Sequence, residues 1–300
     1  MDIVTTHRLG KTYGSHCVVD DLELLIPAGC VYGFLGPNGS GKSTTMKMLL
    51  SLVQPSSGEV EVLGRPMTRR TRRELLTQIG SLIEAPPGYG HLTGGENMRI
   101  VQRSLGLEDG QVQSAVDIVR MGEQMNKRVR DYSLGMKQRL GIAMALAREP
   151  RLLILDEPTN GLDPAGIEEI RGLVRTLADR GVTVMVSSHL LGEIDRTADR
   201  LGILSAGRMV FQGTRAELFS ASTPDVLIRT ADQEAALHAL SGRVPAHLDD
   251  DILRISGMDE DDTADIVRTL VGANCAIYDV RRDEQSLEDV FMDITAGGRL

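Results

Sequence analysis

The stretch Gly36–Thr44 most constrains what this chain can fold into. It reads Gly-Pro-Asn-Gly-Ser-Gly-Lys-Ser-Thr and fits the phosphate-loop pattern, in which two glycines bracket four residues and are followed by Lys-Ser. The apolar run Cys30–Leu35 before it predicts a buried strand, and Thr44–Leu52 after it predicts a helix. This strand–loop–helix order is the context that the motif requires, so the sequence predicts a site for a nucleoside triphosphate.

The residue types in this loop suit contact with phosphate. Glycine lets the backbone adopt conformations closed to other residues and approach an anion closely, and amide groups at a helix N-terminus attract negative charge. Lys42 is expected to reach the β- and γ-phosphates, and the hydroxyl of Ser43 is expected to coordinate Mg²⁺. The predicted ATP-binding residues of the loop are Gly36, Pro37, Asn38, Gly39, Ser40, Gly41, Lys42, Ser43 and Thr44.

Tyr13 is a candidate for contact with the base of the nucleotide. It lies upstream of the phosphate loop in the predicted turn Lys-Thr-Tyr-Gly-Ser. An aromatic ring there can stack on adenine, because every base presents a π-face. The alternative is a surface tyrosine in a turn, which is the commoner case.

A pair of acidic residues follows a second apolar strand. Arg151–Leu155 ends in Asp156-Glu157-Pro158, and open α/β sheets bind their ligands at this end of their strands. Asp156 is predicted to position Mg²⁺, and Glu157 to orient a water molecule for in-line attack on the γ-phosphate. The alternative is that these acids only cap the next helix. Together with the phosphate loop, they predict hydrolysis rather than binding alone.

Local patterns predict the elements around these motifs. Strands are expected at Asp2–Leu9, Val18–Ile26 and Ile79–Ile83, and a closing hairpin at Leu201–Ser205 and Met209–Gly213. Alternating buried strands and helices predict an α/β fold with a largely parallel sheet covered on both faces, and the phosphate loop places this fold in the P-loop NTPase class. The predicted ATPase domain covers residues 1–219, with a helical subdomain at about 88–147.

A second, smaller domain is predicted for residues 220–300. Its elements read as βαββαβ, the split βαβ or ferredoxin-like order, with a further helix around Ser286–Ile294. From Asp225 onward the chain has 17 acidic and 7 basic residues, a net charge of −10, whereas residues 1–224 carry +1. This acidic α+β domain argues against a nucleic-acid surface on this part of the chain.

The sequence predicts a cytoplasmic protein. It has no uninterrupted apolar stretch near the ~18 residues that a membrane-spanning helix needs. Met1-Asp2-Ile3-Val4 lacks the charged-then-apolar form of a signal peptide. The three cysteines have no metal-binding spacing, so reduced thiols are expected.

The motifs together resemble those of the nucleotide-binding subunit of an ATP-binding-cassette (ABC) transporter. The phosphate loop, Leu-Leu-Ile-Leu-Asp-Glu-Pro, Gly-Leu-Asp-Pro and a strand-end His189 follow in the family's order over roughly residues 2–220. The resemblance implies that two subunits sandwich two ATP molecules. Ser133 and Gly135 would then bind the γ-phosphate of the opposite ATP at a helix N-terminus. Asp163 would lie at the dimer seam, and His189 would contact the γ-phosphate and help hold the attacking water.

Two departures from the family pattern narrow the resemblance. The signature Leu-Ser-Gly-Gly-Gln reads Tyr-Ser-Leu-Gly-Met here, and Glu84 replaces the glutamine that contacts Mg²⁺ in the family. Glu84 is expected to coordinate the metal, the alternative being a surface loop acid. Both features are similar to bacitracin-resistance and lantibiotic-immunity subunits. The ending Ser-Leu-Glu-Asp-Val-Phe-Met-Asp resembles the C-terminal extension of drug-exporting subunits in the same branch.

The resemblance implies an ATPase that powers export by dimerising on ATP, with an identical or a different second cassette. Its partner would be a membrane permease that docks around Pro86–Glu96, at the inner face of the cell membrane. The expected cargo is a peptide antibiotic such as a lantibiotic or bacitracin. The alternatives are a drug, lipid or polysaccharide cargo, a sensor complex, and a soluble ABC-type ATPase acting on ribosomes or DNA. The single phosphate loop and the lack of sustained heptads disfavour the soluble ATPase.

Overall fold

A computed structural model describes residues 1–188, 192, 197–220, 225–249, 252–256 and 258–283 of the 300-residue chain. The chain divides into two compact units, Met1–Thr214 and Arg215–Leu300. The division falls five residues before the predicted one, so a short helix at the boundary groups with the second unit. Among the described residues, no helix combines the length and apolar character that a membrane crossing requires.

The first unit contains two sheets and a set of helices. Its strands are β1 (Asp2–Tyr13), β2 (His16–Leu22), β3 (Leu25–Pro27), β4 (Val31–Leu35), β5 (Ser57–Val62), β6 (Arg65–Pro66), β7 (Ile79–Leu82), β8 (Leu152–Leu155), β9 (Thr183–Ser188), β10 (Arg200–Ser205) and β11 (Arg208–Gly213). Its helices are α1 (Lys42–Leu49), α2 (Arg72–Leu75), α3 (Gly94–Leu105), α4 (Asp109–Ile118), α5 (Leu134–Leu146) and α6 (Pro164–Asp179).

The larger sheet has the strand order β11-β10-β4-β9-β8-β7. Every neighbouring pair in it is parallel except the hairpin of β10 and β11. All residues of β4, β8 and β9 are buried, as expected for central strands of a parallel sheet. The predicted parallel sheet and closing hairpin are therefore confirmed, and the carboxyl ends of β4, β9 and β8 lie side by side.

The smaller sheet is antiparallel, with the order β2-β1-β5-β6 and with β3 paired to β1. The prediction of one strand over Val18–Ile26 is wrong, because two separate strands, β2 and β3, occupy this stretch. The Thr6 hydroxyl lies at the break between them: it donates to the carbonyl oxygen of Leu22 at 2.8 Å and accepts from the N–H of Leu24 at 2.9 Å. The predicted end of the first strand at Leu9 is also wrong, since β1 continues through irregular pairing with β2 to Tyr13.

The region around residues 88–147 contains three α-helices. Thr93 begins α3 with a capping box, in which its hydroxyl accepts from the Glu96 N–H and the Glu96 carboxylate accepts from the Thr93 N–H. Gly106 ends the helix in a left-handed conformation, with a φ angle of 66°. α4 and α5 follow, and α5 packs against both α4 and β7.

The second unit has the predicted βαββαβ order after a short helix. Its elements are α7 (Arg215–Ser220), β12 (Asp225–Thr230), α8 (Gln233–Leu240), β13 (Ala246–Asp249), β14 (Ile252–Ile255), α9 (Glu260–Gly272) and β15 (Ile277–Asp283). The sheet is antiparallel with the order β13-β14-β12-β15, which confirms the split βαβ pattern. Its core consists of apolar side chains from the strands and helices, including Val226, Ile228, Leu240, Leu253, Ile255, Ile266 and Leu270. The helix expected around Ser286–Ile294 lies outside the described residues.

Candidate active site

The buried strand β4 leads directly into the phosphate loop. α1 begins at Lys42, two residues before the predicted start, and Gly41 is its N-cap. Gly41 has a φ angle of 106°, and a Cβ atom there would lie 2.7 Å from the carbonyl oxygen of Val18. A side chain would therefore be strained and would also clash with backbone. Glycine at this position is required by the close packing of the loop against β2.

The turn between β10 and β11 also supports the loop. Gly207 in this turn donates its N–H to the carbonyl oxygen of Ser40 at 3.0 Å, and its own carbonyl oxygen accepts from the N–H of Asp20 at 2.9 Å. Two backbone hydrogen bonds therefore connect the phosphate loop to β2 through a turn far along the chain.

Lys42 lies inside the loop and close to the acidic motif. Its ammonium group donates to the carbonyl oxygens of Gly36 at 2.6 Å and Pro37 at 3.3 Å. It also lies 3.8 Å from Oε1 of Glu157, and only 5% of the side chain is exposed. Burial lowers the pKa of Lys42, and the negative charges of Glu157 and Asp156 partly oppose this effect. The structure thus brings the predicted phosphate-binding lysine and the predicted catalytic acid together.

Ser187 connects the two acidic residues. Its hydroxyl donates to Oδ1 of Asp156 at 2.7 Å and accepts from the backbone N–H of Glu157 at 2.8 Å. Ser187 and Asp156 are both buried. Because β9 lies between β4 and β8 in the sheet, Ser187 stands between the phosphate loop and the acidic motif. It was not among the predicted site residues, although its position at the end of a buried strand was a signal for it.

The backbone of Glu157 is held in an unusual conformation. Its φ angle is 46°, a left-handed value that costs a residue other than glycine on the order of 1–3 kcal/mol. The side chain is 24% exposed, and Oε2 accepts from the side-chain amide of Asn160 at 3.3 Å. This geometry directs a partly accessible carboxylate toward Lys42.

The oxygen donors around the loop fit a Mg²⁺ ion bound with a nucleotide. Ser43 is half-buried in the first turn of α1 and Asp156 is buried at the end of β8. Mg²⁺ usually takes one or two carboxylates, with phosphate oxygens and water supplying its other ligands. Among the described residues, no cluster of three or more His, Cys, Asp or Glu side chains could hold a metal ion. The buried Ser40 hydroxyl has no hydrogen-bond partner in the described part of the chain, so its capacity to donate is unused.

Glu84 pairs with Lys47, one turn along α1 from Ser43. Its side chain is 68% exposed, and its carboxylate forms an ion pair with the Lys47 ammonium group. The hydrogen bond from Lys47 lowers the pKa of Glu84, and the same bond raises the pKa of Lys47. Glu84 therefore lies beside the phosphate-loop helix, and its coordination of Mg²⁺ stays a prediction.

The signature residues lie beside the Gly-Leu-Asp-Pro turn. Ser133 caps α5 by accepting from the N–H of Met136 at 3.3 Å. A Cβ atom on Gly135 would lie 3.7 Å from the side chain of Leu162. Asp163 caps α6 by accepting from the N–H of Gly166 at 3.1 Å. The two helix starts therefore meet, and the roles of Ser133, Gly135 and Asp163 at a dimer seam stay predictions.

Two predicted site residues are left, Tyr13 and His189. Tyr13 is the last residue of β1 rather than part of a turn, and it is 49% exposed. The ammonium group of Lys11 lies 4.8 Å from the centre of its ring, a cation–π contact that holds one face. His189 lies outside the described residues, so its predicted contact with the γ-phosphate stays a prediction.

Comparison with known proteins identifies the family. A sequence model described as ABC transporter matches residues 19–160. The bacitracin transport ATP-binding protein BcrA of Bacillus licheniformis is 37% identical over 305 residues, which cover 99% of this chain and 99% of that protein. The chain belongs to the ABC transporter family of ATP-binding proteins.

Two further relatives support this assignment. The lantibiotic transport ATP-binding protein SrtF of Streptococcus pyogenes is 43% identical to this ABC protein over 68% of the chain and 88% of its own length. The solved structure of cbiO1 from Clostridium perfringens, part of the ABC transporter complex cbiONQ, matches with a TM-score of 0.68 and 25% identity. It covers 81% of this chain and 96% of that one.

Family membership explains what the site does. This ABC subunit binds ATP and hydrolyses it. The predicted P-loop fold, the ATPase activity and the resemblance to bacitracin and lantibiotic transport subunits are confirmed.

Proposed function

We propose that this ABC ATPase powers the export of a peptide antibiotic of the bacitracin or lantibiotic type through a separate membrane permease. Two relatives support this cargo by their names, the bacitracin transport protein BcrA and the lantibiotic transport protein SrtF. The single observation that carries the ATPase part of the proposal is the meeting of Lys42, Asp156 and Glu157 at the carboxyl edge of the sheet.

The proposed mechanism assigns one role to each residue of this cluster. Lys42 binds the β- and γ-phosphates after its ammonium group leaves the loop carbonyls that it contacts at 2.6 and 3.3 Å. Glu157 orients a water molecule for attack on the γ-phosphate, and Ser187 fixes the backbone of Glu157 by accepting its N–H. When Mg²⁺ is bound, it neutralises charge on the phosphates. Ser43 and Asp156, with Glu84 as the third candidate ligand, would hold it.

We further propose that two such subunits close on ATP, each offering Ser133 and Gly135 to the nucleotide of the other. The meeting of the α5 and α6 helix starts supports this, since Gly135 and Asp163 would then face the same seam. Closure would shift the population of an attached permease between its two states. The second cassette would be either an identical or a different chain.

The segment Pro86–Glu96 is the proposed docking site for a cytoplasmic helix of the permease. Its Tyr89 ring is 57% exposed, and the N–H of Tyr89 donates to the side chain of Asn97 at 2.7 Å. An exposed aromatic side chain on a fixed backbone suits a docking contact. Through this contact the subunit would lie at the cytoplasmic face of the membrane.

The test expresses this subunit with its neighbouring membrane gene in a sensitive host and measures resistance to bacitracin and to lantibiotics. Resistance should appear with the natural chain and vanish with Glu157→Gln. Glu234→Gln, which changes an exposed acid of the second unit, is the matched control and should keep resistance. No resistance across the panel with ATPase activity intact would refute the peptide cargo and favour a drug, lipid or polysaccharide.

The same Glu157→Gln variant tests the catalytic role in purified protein. It should bind ATP with nearly unchanged affinity, lose turnover, and accumulate as a stable ATP-bound dimer in sedimentation experiments. Unchanged turnover would remove Glu157 from the mechanism.

A further inference from the structure

The strand β15 forms an open edge of the second unit's sheet. Among the described residues it pairs with β12 alone. Tyr278 is 64% exposed and Val280 is 39% exposed, and the residues between and after them are exposed as well. An edge strand presents unpaired N–H and C=O groups that can pair with another strand. β15 is seven residues long, whereas β13 at the opposite edge has only four.

The sequence of this edge is complementary to itself. When two copies extend one sheet across a twofold axis perpendicular to it, β15 runs antiparallel to its counterpart. Residues that face each other must then point to the same face of the sheet, so the axis passes through a single residue position. With the axis at Val280, this residue faces Val280 of the other copy. Asp279 of each copy then faces Arg281 of the other, which gives two pairs of opposite charge.

The two neighbouring registers are unfavourable. An axis at Asp279 places two aspartates opposite each other, and an axis at Arg281 places two arginines opposite each other. Directly opposed like charges destabilise a pair of strands, and opposite charges stabilise it. Charge therefore selects the register centred on Val280.

The charged side chains of this register, Asp279 and Arg281, lie opposite Arg229 and Leu227 of β12. In the described part of the chain, neither Asp279 nor Arg281 forms an ion pair or a side-chain hydrogen bond. Arg282, by contrast, already donates to the carbonyl oxygen of Met258 at 2.9 Å. Because Asp279 and Arg281 alternate with Val280, they project from the face opposite to it.

We propose that β15 is a homodimerisation strand, which pairs antiparallel with β15 of a second copy of this chain in the register centred on Val280. The two four-stranded sheets described here then become one continuous sheet. This contact needs no nucleotide, and its self-complementary charges favour identical subunits. It is thus separate from the ATP-dependent closure proposed above.

Cysteine cross-linking of the full chain tests the register. Val280→Cys, in a background where the exposed Cys17 is replaced by serine, should form a disulfide-linked dimer on mild oxidation without ATP. Facing Cβ atoms in a strand pair lie about 4.5–5.5 Å apart, close enough for a disulfide after small adjustment.

Tyr278→Cys in the same background is the matched control. Position 278 lies two residues from the axis at Val280, so the two introduced thiols would lie about 13 Å apart along the strands. This variant alone should not cross-link. Peptide mass analysis of the Val280→Cys dimer identifies the positions that the disulfide joins.

Charge reversal tests the selection of the register. Asp279→Arg and Arg281→Asp, each combined with Val280→Cys, should each reduce the yield of cross-linked dimer about tenfold, because both opposed pairs become repulsive. An equimolar mixture of the two variants should restore it, since every opposed pair is then attractive. Circular dichroism verifies that each variant is folded. The proposal would be overturned if Val280→Cys formed no cross-link, or if charge reversal left the yield of cross-linked dimer unchanged. Either result would leave the ATPase site unaffected.

Discussion

Replacing Ser187 with alanine should lower the local stability around Asp156 and Glu157. It should do so without removing a residue that the proposed mechanism assigns to nucleotide binding. The substitution removes a hydrogen bond to the buried Asp156 carboxylate, and a bond to a charged group contributes about 1.5–3 kcal/mol. It also removes the hydrogen bond that the Glu157 N–H donates to Ser187, which costs about 1 kcal/mol or more. The local free energy of unfolding should therefore fall by about 3 kcal/mol.

Native-state hydrogen exchange measures this directly, because the amides of β8 and β9 report the free energy of opening. The matched control is Ser81→Ala on β7. Ser81 is exposed, so its change should stay within about 0.5 kcal/mol. The turnover of ATP by Ser187→Ala should fall about tenfold, which corresponds to a rise of about 1.4 kcal/mol in the activation free energy. The change in KM should be smaller. Equal rates of amide exchange in β8 and β9 of the Ser187→Ala and Ser81→Ala variants would refute the positioning role of Ser187.

Three other substitutions test the remaining contacts. Lys42→Ala should weaken ATP binding in calorimetry at least tenfold, whereas Lys127→Ala should not; equal affinities would contradict the assignment of the phosphate lysine. Glu84→Gln should shift the Mg²⁺ dependence of hydrolysis and lower the raised pKa of Lys47 toward its ordinary value in an NMR titration. An identical Mg²⁺ titration would make Glu84 a surface acid. Tyr13→Ala should reduce ATP affinity by about 1–3 kcal/mol while Tyr13→Phe keeps it, and equal losses in both would argue against stacking.

The phosphate loop could be predicted because its chemistry is local. The spacing of its glycines before Lys42 fixes both the turn and the start of α1. The position of Asp156 and Glu157 could also be inferred, since an apolar run that ends in acids places them at the ligand-binding edge of a parallel sheet. In both cases, neighbours in sequence are neighbours in space.

The features that could not be predicted depend on residues far apart in the sequence. The break between β2 and β3 coincides with bonds to the Thr6 hydroxyl, which the alternating pattern of those strands does not reveal. The role of Ser187 depends on the parallel register of β8 and β9. The ion pair of Glu84 with Lys47 depends on how the loop after β7 meets α1. Hydrophobic periodicity predicts the strands and helices, but their packing in three dimensions decides which polar groups come into contact.

The turn that contains Gly207 sets the minimum length of an active fragment. A chain truncated before β10 would keep Lys42, Asp156, Glu157 and Ser187, and sequence motifs alone would suggest that it is complete. It would lack the N–H group that holds the Ser40 carbonyl oxygen, and the link from that turn to Asp20. The loop would then lose part of its support. A fragment intended to bind ATP as the whole chain does must therefore extend through the end of β11 at Gly213.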